Sequence, residues 1–553
     1  MDAFKTEREK RGLLVFVPGL PSARRRGSRA PHDDLLERLR SDLGPTWRLE
    51  VFRHGQTATS RADLDAIVDD LAAHLRDWSG ELSVDVERPE EIILVGHSFG
   101  GVLARAAYLR DVGGRDGAPR PWTAIVRRIV LLGSPNAGFR WNAKGTPLAW
   151  RLAYALATPF ADYAVERVEA GGYWITDLRL RWLDAFRRLE DRPTVVQVLG
   201  TSDDLVTRED ILDSRYMPDT VEVMVPGATH AGLVDLSTAA DPERRFQQLQ
   251  SAILGRPDEA SGAPAGRSTS PTFFVLHGIR ASAYEHWVQD LSSYIQTMTG
   301  TGEVRFVRPD TGFFSALEFA LPGSRNRKVH QFLKLYGDAY ATGDPDRFTF
   351  AGHSNGTYMM ARAMSRVPAM RFRRIYLAGT VLPRDFDWQG LVDRRQIGSY
   401  GSAWRPGAVR NDRSTRDVPV GILCSWLRGL GSSDVGTAGV TGFEHAPSIL
   451  DDGARAYAGG HGAALRDPAR LQAVAGYLTE TATTVPPPGG AGSIFRWFSR
   501  FVGTPVVAWL LLLALVGALT VAFVALGGAI GPGPAAALGA AIVLALVVLL
   551  RTI

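Results

Sequence analysis

Ile92-Ile-Leu-Val-Gly96-His97-Ser98-Phe99-Gly100-Gly101 reads as a strand that runs into a sharp turn and then, through Val102-Leu-Ala-Arg, into a helix. A G-x-S-x-G turn in that setting holds its serine at a strained position with the hydroxyl projecting. Its glycines let strand and helix approach without Cβ clashes. Phe348-Thr-Phe-Ala-Gly352-His353-Ser354-Asn355-Gly356 repeats the arrangement. Upstream of each lies an apolar strand ending in a Gly turn, Leu13-Leu-Val-Phe-Val-Pro-Gly19 and Thr272-Phe-Phe-Val-Leu-His-Gly278. Gly19 and Ser98 are 79 residues apart and Gly278 and Ser354 are 76 apart, an agreement that suggests a duplicated domain.

Short apolar strands alternate with amphipathic runs such as 64–78, 102–109 and 329–340, which predicts βαβ crossovers and mostly parallel sheets flanked by helices. The expected fold class is α/β, with two tandem domains over 1–255 and 272–484. A small, polar, Pro-punctuated stretch, 256–271, reads as the linker between them. A second Pro/Gly-rich stretch opens a juxtamembrane linker, 485–503. Residues 501–550 then carry no charged side chain, and Gly527-Gly528 with Gly531-Pro-Gly-Pro534 interrupt the run near its middle. The expectation is a transmembrane hairpin of helices over 504–526 and 534–550. Phe495, Trp497, Phe498, Phe501 and Trp509 supply an interfacial aromatic belt. Arg496, Arg500 and Arg551 favour both hairpin ends, and so the folded domains, on the cytoplasmic side.

The chain has 553 residues, 45% hydrophobic and 22% charged, which excludes a disordered, collagenous or coiled-coil protein. Its net charge of +5 arises from 63 basic against 58 acidic residues, too slight an imbalance to argue for nucleic acid as a partner. A single cysteine, Cys424, rules out an intrachain disulfide and a thiolate metal site. The histidines show no metal-ligand spacing, and phosphate-cradling or dinucleotide glycine motifs are missing where they would be needed. No metal and no cofactor are expected. The N-terminus lacks the apolar stretch of a secretory signal.

These elbows and strands resemble the α/β-hydrolase superfamily over about 10–250 and again over 272–480. That resemblance implies a nucleophile, acid and base in the chain order Ser, Asp, His. In the first copy Thr194-Val-Val-Gln-Val-Leu-Gly200 is a strand pattern followed by Thr201-Ser-Asp203-Asp204-Leu-Val206, so Asp203 is the acid candidate, with Asp204 beside it as the alternative. His230, on the loop after Thr220–Val225, is the candidate base for Ser98. The backbone amides of Leu20 and Phe99 are the candidate oxyanion donors. Pro18 replaces the His usual before Gly19, a departure that leaves a backbone donor intact. In the second copy Ser354 pairs with His461 in Gly459-Gly-His-Gly462, and Ile279 with Asn355 would bind the oxyanion. Its acid is Asp417 or Asp434. Asp417 is preferred, while a strand over 418–426 would put Asp434 on the acid turn. The second copy could also be degenerate and kept for structure. His97 and His353 precede the serines and face the sheet side of the turn.

Gly133-Ser-Pro-Asn-Ala-Gly138 looks like the segment that precedes a cap in bacterial lipases and in GPI inositol-deacylase-like hydrolases. A cap over 139–192 is therefore expected, either a lid or a packed helical insertion. Arg24, Arg25 and Arg26, with Arg29, follow the first oxyanion turn, where they could bind an anionic head group or form a solvated loop. The expected activity is that of a membrane-anchored serine hydrolase, an esterase or lipase acting on a lipid or other hydrophobic ester, with the bilayer as its partner. The alternatives are an acyl-protein thioesterase or deacylase and a non-catalytic membrane scaffold.

Overall fold

The computed structural model describes residues 10–20, 29–55, 63–82, 87–113, 118–139, 167–255, 264–278, 285–300, 302–308, 319, 322–398, 407–445, 447–452, 456–481 and 493–530. The chain divides into two compact units, Met1–Arg267 with Tyr336–Thr342, and Ser268–Leu335 with Gly343–Ile553.

In the first unit six strands form one parallel sheet: β1 (Gly12–Val17), β2 (Trp47–Val51), β3 (Glu91–His97), β4 (Val126–Leu132), β5 (Thr194–Gly200) and β6 (Thr220–Val225), in the order β2-β1-β3-β4-β5-β6. Strand β1 is wholly buried because helices cover both faces of the sheet, as near-continuous apolar strands require. On one face Leu14, Phe16, Ile93, Val95, Val130 and Val198 pack with Leu35 and Leu39 of α1 (Asp33–Leu43) and with Leu249 and Ile253 of α5 (Pro242–Leu254). The other face carries α2 (Leu64–Trp78), α3 (Phe99–Asp111) and α4 (Tyr173–Arg188), whose apolar residues recur at helical spacing.

Helix α4 lies within the stretch expected to form a cap. Its Trp182 and Phe186 are buried, with ring centroids 6.2 and 6.3 Å from Tyr108 of α3, so this part is a packed element of the core. Trp141, Trp150 and the remainder of that stretch, 140–166, lie outside the described residues, as do Arg24, Arg25 and Arg26.

The second unit repeats the scheme with β7 (Thr272–Leu276), β8 (Arg305–Val307), β9 (Phe348–His353), β10 (Arg374–Ala378), β11 (Val409–Ser414) and β12 (Leu450–Asp451), ordered β8-β7-β9-β10-β11-β12, while β13 (Ala456–Tyr457) pairs with β11. Taken in chain order, the six-strand sequence of neighbours is the same in both sheets, and every pair is parallel. Helices α6 (Glu285–Thr299) and α9 (Pro468–Thr479) close one face around Phe273, Val275 and Tyr376. The other face, which holds α7 (Pro322–Thr342) and α8 (Asn355–Arg366), has an aromatic centre. Phe274, Phe348, Phe350 and Phe372 meet there at centroid distances of 5.1–5.4 Å.

Three expectations are corrected. The apolar run 418–426 is helical, a wide turn over Pro419–Cys424 leading into Ser425–Gly429, which removes the strand that would have carried Asp434 to an acid turn. Within the stretch read as a linker, Ser493–Val502 forms a helix, α10, that packs on this segment. Ser425 Oγ donates to the Ser499 carbonyl, and Phe495 lies against Gly421. Finally, Gly527-Gly528 does not end the apolar helix. It runs unbroken as α11 from Pro505 to Ile530, since a glycine pair costs helix stability without removing a backbone donor. The second hairpin helix and Arg551 lie outside the described residues. An 18-residue window of α11, Pro505–Ala522, has mean hydropathy 2.4 and only 6% of it is buried, so by length and composition it is sufficient to cross a bilayer.

Candidate active site

Ser98 joins β3 to α3 with φ 52° and ψ −122°, a conformation costly for a residue with a side chain. The glycines around it explain how that conformation is held. A Cβ on Gly96 would stand 2.3 Å from Gly101 Cα, and one on Gly19 would stand 2.8 Å from Ser98 Cβ. Strand, turn and helix therefore close more tightly than any side chain permits. Ser98 N–H donates to the Leu132 carbonyl at 2.8 Å, which pins the elbow to the next strand.

Three segments far apart in the chain converge on this serine. His230, on the loop after β6, places Nε2 2.8 Å from Ser98 Oγ and Nδ1 3.0 Å from Asp203 Oδ2. Asp203 lies on the turn after β5, and its other oxygen accepts the N–H groups of Leu205 and Val206, both at 2.9 Å. Burial alone would raise the Asp203 carboxyl. The hydrogen bond and charge of His230, with the two amides, outweigh it and hold the group below the usual carboxylate value. Asp204 is exposed and takes no part in this chain of bonds. With Nδ1–H donated to the carboxylate, Nε2 is left to accept the serine proton.

Phe99 opens α3, so its N–H is one of the first-turn donors without an intrahelical acceptor, aimed beside the serine. Leu20 follows the Gly19 turn, whose preceding carbonyl, that of Pro18, accepts from the buried His54 Nε2 at 3.0 Å. His54 also lies edge-on to Phe99, with centroids 5.6 Å apart, and burial lowers its pKa. It thus braces both proposed oxyanion segments as a neutral donor. The sequence showed it only as a histidine without metal spacing.

Two further residues were named in the sequence without their contacts to the triad. Gly133, with φ 54°, ends β4 so close to the triad that an added Cβ would stand 3.2 Å from His230 Nδ1 and 3.3 Å from Asp203 Oδ2. His97 places Nε2 3.1 Å from the His230 carbonyl and so fixes the backbone of that histidine. Desolvation, then the neighbouring charge of His230, pushes the His97 pKa down to about 3. In the unfolded chain the imidazole has the ordinary histidine pKa of about 6.5. Its contribution to stability is therefore complete above that pH and is lost as pH falls toward 3, at up to about 1.4 kcal/mol per pH unit. Urea unfolding of the wild type between pH 7 and 4 is expected to show this loss, and His97→Gln to flatten it.

The second unit holds the same parts with one difference. Ser354 has φ 54° and ψ −124°, and its N–H donates to the Ala378 carbonyl at 3.1 Å. His461 Nδ1 is 2.8 Å from Asp417 Oδ2, whose other oxygen accepts Val420 N–H. His353 Nε2 reaches the His461 carbonyl at 3.2 Å, and Gly379, with φ 50°, stands beside His461 as Gly133 does beside His230. Burial, then the charge of His461, holds the His353 pKa well below its ordinary value. Asp434 is elsewhere. It accepts from Tyr358 Oη at 2.8 Å and pairs with Arg325 at 3.3 Å. No hydrogen bond joins His461 to Ser354. Asn355 opens α8 as Phe99 opens α3, while Ile279 lies outside the described residues. Cys424 is no rival nucleophile, since burial pushes its thiol up.

Residues 14–246 match the model of the alpha/beta hydrolase family. The match begins in β1 of the first unit and ends in α5, and it spans Ser98, Asp203 and His230. No curated protein matches the chain. Similar solved structures include esterase 2 of Thermogutta terrifontis, 17% identical over 44% of this chain and 81% of that one, with a TM-score of 0.29. A truncated carbohydrate esterase from gut microbiota is 14% identical over 44% and 86%, also at 0.29. The N-formylmaleamic acid deformylase of Pseudomonas putida S16 is 16% identical over 40% and 87%, at 0.24.

Proposed function

We propose that the chain is a bilayer-anchored serine hydrolase that cleaves a carboxylic ester of a lipid or other hydrophobic molecule. The observation that carries this reading is the unbroken hydrogen-bonded series from Ser98 Oγ through His230 to Asp203, at a strained strand-to-helix turn that presents the serine hydroxyl. In it, His230 Nε2 takes the serine proton as Oγ attacks the ester carbonyl. The Phe99 and Leu20 amides hold the oxyanion, and Asp203 balances the imidazolium. The imidazolium then protonates the leaving alkoxide. Water, deprotonated by the same imidazole, attacks the acyl-serine, and collapse of that intermediate releases the acid and restores Ser98.

The same strand order, the paired glycines 133 and 379, and the paired histidines 97 and 353 support descent of the two units from one duplicated domain. We assign Ser354, His461 and Asp417 to a second hydrolytic site, in which the serine must still engage its base. The exposed apolar helix α11 supports the anchor. Arg496 and Arg500 at its start favour the folded units on the cytoplasmic face. An anchor of this kind raises the local concentration of substrate held in the same membrane.

Labelling with a fluorophosphonate probe tests the assignment. Wild type is expected to be modified at both serines, Ser98→Ala and Ser354→Ala at one each, and the double variant at neither. Undiminished label on a folded double variant, or none on wild type, contradicts the reading. Loss of all label in Ser98→Ala alone leaves the second unit without catalysis. Comparing lipid esters with acylated proteins as substrates separates a lipase from a thioesterase.

A further inference from the structure

The second unit contains a cavity of about 360 Å³ lined by Arg384, Asp385, Arg428, Glu444, Arg500 and Gly503, among others, and it shares no residue with either serine site. That volume lies within the range of about 300–1,000 Å³ typical of small-molecule sites. Its charges are unbalanced. Arg384 pairs with Glu444 at 2.9 Å and Arg428 with Asp385 at 2.8 Å, whereas Arg500 makes no ion pair among the described residues. In addition, Arg384 Nε is buried with no hydrogen-bond partner among the described residues. Three guanidinium groups against two carboxylates leave one positive charge and an unanswered N–H donor, which suits one singly charged phosphodiester.

Its position says where such a group would come from. Arg500 belongs to α10 and Gly503 follows it, two residues before Pro505 opens the apolar helix α11. On α10 the side chains of Trp497 and Phe498 are exposed, by 66% and 42%, which suits the headgroup level of a bilayer. This end of the unit is held firmly to the helices: Trp426 Nε1 donates to the Ala508 carbonyl at 3.0 Å, and a Cβ on Gly429 would stand 2.5 Å from Ala508 Cβ. The cavity therefore lies where the chain passes from folded unit to apolar helix, and a bilayer crossed by α11 would bring its phosphates to that level.

We propose that this cavity binds the phosphate-bearing headgroup of an anionic phospholipid. The proposal rests on the bilayer reading of α11 and is independent of the hydrolase reading. Full-length protein is reconstituted in vesicles of equal phosphatidylglycerol and phosphatidylcholine, floated after carbonate washing, then extracted gently for native mass spectrometry. The expected result is retention of one phosphatidylglycerol per chain with roughly tenfold preference, on the scale of one charge-assisted contact. Arg500→Gln, an exposed change, and Arg428→Gln are each expected to bring that preference close to one, while Arg347→Gln, outside the cavity, leaves it intact.

A chain that floats but shows no preference, or a preference untouched by both cavity variants, overturns the proposal alone. A chain that the carbonate wash strips from the vesicles overturns the bilayer reading and the proposal with it. Inorganic phosphate distinguishes the source. If it displaces the lipid at low millimolar concentration and stabilises the solubilised protein in an Arg500-dependent way, the site serves free phosphate and the lipid assignment falls.

Discussion

His230→Ala is expected to reduce hydrolysis at the first site by roughly 10⁶-fold, measured with a p-nitrophenyl ester in a Ser354→Ala background so that only one site is read. The loss is large because this imidazole, alone among the described residues, bonds both Ser98 Oγ and the Asp203 carboxylate. Without it the hydroxyl attacks undeprotonated. Asp203→Asn should be milder, about 10⁴-fold. The amide can donate to Nδ1, which turns the imidazole toward the tautomer that carries its proton on Nε2, where it can no longer accept from the serine. Oxygen Oδ1 would still accept the Leu205 and Val206 amides, so the fold should survive. A His230→Ala enzyme within tenfold of its parent, with its melting temperature unchanged, removes His230 as the base.

Gly100→Ala should have the second-largest effect, and it acts on folding. The added Cβ would lie 1.9 Å from the Val17 carbonyl oxygen and 2.6 Å from that of Pro18, both backbone atoms of a fully buried central strand and its turn. Neither can retreat without breaking the pairing of β1 with β3. A destabilisation of about 3–5 kcal/mol is expected, at the upper end for a single substitution. Gly44→Ala is the control. That glycine has φ 76° and ψ 180° but open space around it, so only the backbone penalty of about 1–3 kcal/mol applies. Denaturant midpoints compare the two. Equal costs would mean that the close approach of α3 to β1, on which the placement of Ser98 depends, is not what the glycine serves. Gly356, whose Cβ would meet the Leu276 carbonyl at 2.5 Å, offers the same comparison in the second unit.

Local pattern was enough for the α/β class, both elbows and the three first-site candidates. Each is written in a few consecutive residues: an apolar strand, a glycine-bounded turn, an acid or histidine just past a strand end. The choice between Asp417 and Asp434 was of another kind. The apolar run 418–426 suits a strand or a buried helix equally by composition, and only the observed helical path carries Asp417 to His461 and leaves Asp434 with Arg325. Gly133, Gly379, His54 and the carbonyl contacts of His97 and His353 were likewise invisible, because each acts on a segment tens of residues away. The strand order of the sheet, a non-local property, decides which segments those are. Residue type and short spacing therefore prescribed the chemistry this chain has at hand, while the packing of distant strand ends against one another decided which groups meet.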